Sequence, residues 1–168
     1  MKKVLVAGST GYLGQYVIKE LKKQGYWVRA LARNHQKLEH VKECIDEVFV
    51  GEVTQPDTLN GVCDGIDVVF SSVGITRQKD RVTYMDVDYQ GNLNLLKQAC
   101  QSQVQKFLYV SVVNGHLVQD LKMIHAKELF VDRLKNAPIA STVIRPTGFF
   151  SDMLEFLAMA KKGRVYLF

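Results

Sequence analysis

At the start of the chain the apolar run Lys3-Val4-Leu5-Val6-Ala7 passes directly into Gly8-Ser9-Thr10-Gly11-Tyr12-Leu13-Gly14. Beyond it Tyr12, Leu13, Val17, Ile18 and Leu21 recur on one face of a helical period. A strand, a glycine-rich turn and a helix in immediate succession form the context that a dinucleotide-binding fingerprint requires. Gly8 allows a tight turn off the strand, Gly11 admits a pyrophosphate close to the backbone, and Gly14 lets helix and strand pack closely. The helix N-terminus then offers free N–H donors and its positive dipole end to the phosphates. Thr10, Tyr12 and Leu13 complete this candidate phosphate-binding turn. The alternative is a turn of the same form that holds no ligand.

The rest of the chain repeats the alternation of strand and helix. Strands are expected near 26–32, 48–50, 67–72, 106–111 and 140–145, and helices near 34–44, 83–101, 118–136 and 151–162. Between the third and fourth strands, Thr54 and Pro56 read as an N-cap and an early-helix proline, opening a brief helix through Leu59. Short apolar strands alternating with helices call for a parallel sheet covered by helices on both faces. Right-handed crossovers give a doubly wound α/β sheet, the Rossmann fold, in the order 3-2-1-4-5-6.

Composition narrows the function classes. A chain of 168 residues, 47% hydrophobic and 23% charged, is the size and make-up of one globular domain. Its net charge of +5 is spread over Lys2/Lys3, Lys22/Lys23 and Lys161/Lys162 rather than gathered in a nucleic-acid-binding run. No apolar stretch approaches the ~18 residues of a membrane span, and the residues before the first strand are not expected to act as a secretory signal. Cys44, Cys63 and Cys100 lack metal-ligand spacing and read as free thiols of a reducing cytoplasm. The four histidines show no paired spacing either, so no metal is expected.

The end of the second strand discriminates between dinucleotides. An acid there binds the ribose hydroxyls of NAD, whereas an arginine accommodates the 2′-phosphate of NADP. The chain reads Leu31-Ala32-Arg33-Asn34, with no carboxylate before Glu39. Arg33 is the candidate clamp, because its planar fork matches phosphate oxygens in pairs; the other reading is a solvated strand-end arginine. NADP is thus the expected cofactor, with NAD open. Arg29, four residues earlier on the same strand face, is expected to assist. Glu52 is expected at the adenine edge, and Ser71 with Ser72, Val73 and Gly74 under the cofactor near the topological switch point.

Several segments taken together resemble one family. The Gly8–Gly14 turn, Val28-Arg29-Ala30-Leu31-Ala32-Arg33, Val87-Asp88-Tyr89-Gln90-Gly91-Asn92-Leu93-Asn94, Phe107-Leu108-Tyr109-Val110-Ser111 and Ile144-Arg145-Pro146-Thr147-Gly148-Phe149-Phe150 look like an atypical short-chain dehydrogenase/reductase, of the NmrA-like and epimerase-like kind. The resemblance implies a Tyr-x-x-x-Lys pair on the helix after the fifth strand. In such a pair the tyrosine exchanges a proton with substrate while the lysine lowers its pKa and bonds the nicotinamide ribose. Here that stretch is Met123-Ile124-His125-Ala126-Lys127. Lys127 keeps the lysine's role, and methionine stands where the proton donor belongs. Ser111 lies near the position of the carbonyl-polarising serine. His125 falls on a different helix face from Lys127 and reads as solvated or packed. Tyr84, Tyr89 and Tyr109 are other tyrosines that the fold could bring near.

The resemblance also implies a longer protein with a C-terminal substrate lobe. On that reading residues 1–162 form the NAD(P)-binding domain, and 163–168, with the strand-like Arg164-Val165-Tyr166-Leu167-Phe168, begin the lobe. The expected function is an NAD(P)-dependent oxidoreductase or epimerase-like enzyme acting on a small molecule. The alternative is a regulator or scaffold of NmrA type that senses NADP(H) without turnover. A nucleotide-free interaction domain is the third reading. Oligomeric state is not legible.

Overall fold

The computed structural model describes residues 1–75 and 82–165. Its six strands are β1 (Lys3–Ala7), β2 (Trp27–Ala32), β3 (Glu47–Val50), β4 (Val68–Ser71), β5 (Lys106–Val110) and β6 (Ala140–Ile144). They form one all-parallel sheet in the order β3-β2-β1-β4-β5-β6, as expected from the alternation. The chain therefore reverses its winding between β1 and β4, and a crevice opens at the carboxyl ends of those two strands. The register sets Ala7 beside both Leu31 and Ser71, so the three central strands end level with one another.

Two apolar layers sandwich the sheet. On one face Val4, Val6, Val28, Ala30 and Phe70 meet Ile18 of α1 (Tyr12–Lys23) together with Leu38 and Val41. On the other, Leu5, Val69, Phe107 and Tyr109 meet Leu95 and Ala99 of α2 (Asn92–Gln101) and Phe130, Val131 and Leu134 of α3 (Lys122–Lys135). Phe130 packs edge-on against Tyr109, with ring centroids 4.6 Å apart, and lies 6.0 Å from Phe107. Each such ring, fully buried, stabilises the fold by about 2–3 kcal/mol. The fourth helix, α4 (Asp152–Lys161), follows β6.

Several local expectations are corrected. The segment after β2 is a 3-10 helix, His35–Cys44, in which only Leu38 and Val41 are buried. Those two lie three residues apart, which is the period on which 3-10 side chains eclipse. The brief helix Pro56–Leu59 is preceded by Gln55 as its cap position, not Thr54. The Thr54 hydroxyl is turned instead to Glu52, at 3.1 Å. The long helix expected over 83–101 is divided into a π-helical segment, Met85–Gly91, and α2. The helix expected over 118–136 is α3, which begins only at Lys122 and is preceded by a separate short 3-10 turn, Gly115–Leu117. The loop at 74–80 falls partly, and the strand-like 164–168 run mostly, outside the described residues.

Candidate functional site: a cleft at the strand ends

Gly8 leaves β1 with φ +83°, a conformation that glycine adopts without strain. The turn closes by a hydrogen bond from the Gly11 N–H to the Gly8 carbonyl, 3.0 Å. Gly14 lies so close to this turn that a Cβ there would sit 2.2 Å from the Gly8 carbonyl oxygen. The third glycine thus lets the helix approach the turn itself, more than the strand. Ser9, fully buried, donates its hydroxyl to the Leu31 carbonyl at 2.6 Å and fastens the turn to β2. No side chain caps α1, and its first turn carries no acid. The first N–H groups of a helix have no intrahelical acceptor, so they remain available beside Gly11.

A cleft of about 400 Å³ runs along these strand ends. Gly8, Thr10 and Gly11 form one wall, Arg33 and Glu52 one end, and Ser72, Val73 and Gly74 the floor towards the other. These eight are all among the residues expected from sequence. Tyr12, Leu13, Gly14 and Lys127 do not line the cleft. Tyr12 is half exposed with its ring against Tyr16, Leu13 packs into the α1 layer, and Gly14 is buried. Sequence reasoning missed Gly51, Val53 and Thr54 on the side of Arg33, and Ile75, Val82 and Val87 on the other. The glycine directly following β3 was the available signal for the first group.

At one end of the cleft the Arg33 guanidinium lies 3.5 Å from Glu52, with its side chain 72% exposed. So loose and wet a pair is worth at most about 1 kcal/mol, and Arg33 is free to turn to another anion. Glu52 also accepts from Thr54 and from Gln55, both at 3.1 Å. Arg29 does not assist. It sits mid-strand, beside Leu5 and Glu47, and its guanidinium is held by Glu47 and by the carbonyls of Val62 and Asp64. Sharing a strand face with Arg33 puts it at the wrong height on the sheet.

The opposite end is stitched by polar groups. Ser71 is buried and donates to Asn92 at 2.6 Å, and Asn92 donates to the carbonyls of Val73 and Asp88. Beneath Gly74, Lys127 from α3 forms an ion pair with Asp88, 2.8 Å. Burial pushes the Asp88 carboxyl up from its ordinary range, against the pull of Lys127. Among the described residues no group of His, Cys, Asp and Glu is arranged to hold a metal. None of the described helices is long and apolar enough to cross a membrane.

The profile of a family described as NAD(P)H-binding matches residues 8–155, a span that contains the whole turn, the cleft and Lys127. The chain belongs to that NAD(P)H-binding family. It is 30% identical over 156 residues to the photosystem II assembly factor Ycf39 of Trieres chinensis, covering 93% of this chain and 49% of that protein. It is 29% identical over 184 residues to the chloroplastic divinyl chlorophyllide a 8-vinyl-reductase of Arabidopsis thaliana, covering 98% and 43%. The chain thus spans about half the length of the curated relatives it matches. In fold it is similar to a nucleoside-diphosphate-sugar epimerase from Staphylococcus aureus, with TM-score 0.78, 17% identity, and coverage of 94% and 55%. The resemblance to atypical short-chain dehydrogenases and epimerases read from the sequence holds.

Within this NAD(P)H-binding family member, the proton-transfer positions are filled by other chemistry. Met123 stands one turn before Lys127 on α3 and has no exchangeable proton. Ser111 is buried, and its hydroxyl donates to Glu128 at 2.7 Å. A hydroxyl has one proton to give, so Ser111 is committed away from a substrate. His125 is exposed, as the solvated reading expected. Tyr109 is fully buried with its hydroxyl unpartnered among the described residues, and burial pushes its pKa far up. Tyr89 accepts from Arg133 at 3.3 Å, and neither Tyr89 nor Tyr84 lines the cleft.

Proposed function

We propose that this domain binds NADP(H) along the cleft and holds it without the tyrosine-dependent carbonyl chemistry of its resemblance family. The pyrophosphate lies on the Gly8–Gly14 turn, the 2′-phosphate at Arg33, the adenine edge at Glu52, and the nicotinamide end over Gly74 near Lys127. The observation that carries this reading is the continuity of the cleft. It joins an exposed arginine, an uncapped helix N-terminus and the Ser72–Gly74 floor in the order that a dinucleotide needs. Met123 and the committed Ser111 support cofactor holding over turnover.

Lys127 supports a second reading, in which the chain is part of an NADP-dependent oxidoreductase or epimerase-like enzyme acting on a small molecule with another proton donor. Relatives named an assembly factor and a reductase stand on either side of this choice. Free thiols at Cys44, Cys63 and Cys100 support a reducing compartment, which we propose is the cytoplasm. Calorimetric titration with NADPH and NADH, followed by assay of carbonyl reduction, separates the readings. Tight NADPH binding without turnover is expected; turnover abolished by Lys127→Ala favours the enzyme, and binding of neither cofactor refutes both.

A further inference from the structure

Asp88 is fully buried on the π-helical segment Met85–Gly91 and touches two things at once. One carboxylate oxygen lies 2.8 Å from the Lys127 ammonium, and the other accepts the Ile75 N–H at 3.1 Å. Gly74 lies directly upon this pair: a Cβ there would sit 2.5 Å from the carboxylate and 2.7 Å from the ammonium. Asn92, four residues along, holds the same loop through Ser71 and Val73. Two side chains of one helical stretch therefore fix the cleft floor from residue 71 to residue 75, and Asp88 ties Lys127 into it.

A buried carboxylate is costly unless it is paired and hydrogen-bonded. Placing one here has a consequence for Lys127, whose side chain is only 12% exposed. A lysine stem has free rotors and its ammonium has three protons. Asp88 fixes the stem through its charge, 2.8 Å from the ammonium, leaving N–H protons for acceptors resting on Gly74. Ser111 and Met123 make no comparable hold on the lysine.

We propose that Asp88 is the positioning residue for Lys127, setting its ammonium for the nicotinamide-ribose end of the cleft. This rests on the reading of the cleft as a dinucleotide site, and it assigns to an Asp–Lys pair the ordering that a Tyr–Lys pair supplies elsewhere. The adenosine end, built on Arg33 and Glu52, is independent of Asp88. The two halves of the ligand are therefore held by separate groups of residues.

The test uses the full chain and two probes, NADP⁺ and adenosine 2′,5′-bisphosphate, which lacks the nicotinamide riboside. Asp88→Asn keeps an acceptor for Ile75 and removes the charge that holds Lys127. It is expected to weaken NADP⁺ by about ten- to a hundredfold, the value of a charge-assisted bond, and to leave the fragment unchanged. Lys127→Met should do the same, and the double variant, which buries no unpaired charge, should lose no more than either single one. Binding of the fragment reports that each variant is folded. Equal losses for both probes, or losses that add in the double variant, overturn the positioning role. A parent protein that binds neither probe overturns the dinucleotide reading itself, which is a different result.

Discussion

Glu128 meets Arg145 through two hydrogen bonds, 2.6 and 2.7 Å long, one to each carboxylate oxygen. Ser111 donates to the same carboxylate, and Arg145 also reaches the Val112 carbonyl at 3.1 Å. This arrangement joins the end of β5 to α3 and to the residue that follows β6. It also explains why Ser111 is turned inward. A bidentate guanidinium–carboxylate pair with a third donor is a stronger claim on the serine hydroxyl than a passing substrate oxygen.

Removing that carboxylate charge should cost stability in a pH-dependent way. Burial alone raises the Glu128 carboxyl, but the bonds from Arg145 and Ser111 outweigh it and leave it below its usual range. A folded-state pKa below the unfolded one stabilises above the ordinary carboxylate range, and the benefit is lost as pH falls through the depressed value. Glu128→Gln is expected to lose about 3 kcal/mol at pH 7, measured by urea unfolding. The gap between parent and variant should close below about pH 4. A gap that stays constant into acid contradicts this account of the pair.

The two inner turn glycines should respond differently to a methyl group. At Gly14 the added Cβ meets a backbone oxygen at 2.2 Å, and at Gly11 the nearest atom is 3.2 Å away. Gly14→Ala is expected to destabilise by about 3 kcal/mol, as overpacking against backbone does, and Gly11→Ala by less than about 1 kcal/mol. Thermal unfolding of the two variants decides the matter; equal shifts would contradict the assigned roles.

Legibility in the sequence followed the range of the interactions. The strand order came from alternation and handedness, and the turn and its glycines from a contiguous motif. Arg33 and Glu52 were singled out because they stand one and two residues after a strand. Arg29 was misjudged because period two fixes a face but not a height along the sheet. Asp88, Asn92 and Arg145 were quoted within motifs without a role and Glu128 was not singled out, since their partners lie 13 to 39 residues away. The π-helical break before α2 escaped because helical periodicity does not distinguish i→i+4 from i→i+5 bonding over one turn.

Cofactor preference should turn on Arg33 and its loose partner. Arg33→Ala is expected to weaken NADPH by about ten- to a hundredfold and leave NADH nearly unchanged, the value of charge-assisted bonds to a phosphate. Glu52→Gln frees the guanidinium and removes a charge facing the phosphate, and should tighten NADPH by about two- to fivefold. Competition binding with both cofactors reads this directly. A parent that prefers NADH contradicts it.

Turnover is expected to be absent for carbonyl substrates. A positioned general acid contributes about 10²–10⁴-fold, and Met123 supplies none. Steady reduction that scales with protein concentration and disappears in Lys127→Ala would establish another donor. Met123→Tyr, which places a phenol one turn before Lys127, is the variant in which any gain should appear.

NADPH titration into the parent and Gly11→Val decides whether the cleft at the Gly8–Gly14 turn is a dinucleotide site. Saturable binding of one NADPH per chain is expected of the parent. Gly11→Val is expected to bind none, with an unfolding midpoint close to that of the parent, because the branched side chain fills the space a pyrophosphate needs. A folded Gly11→Val protein that binds NADPH as tightly as the parent would contradict the claim.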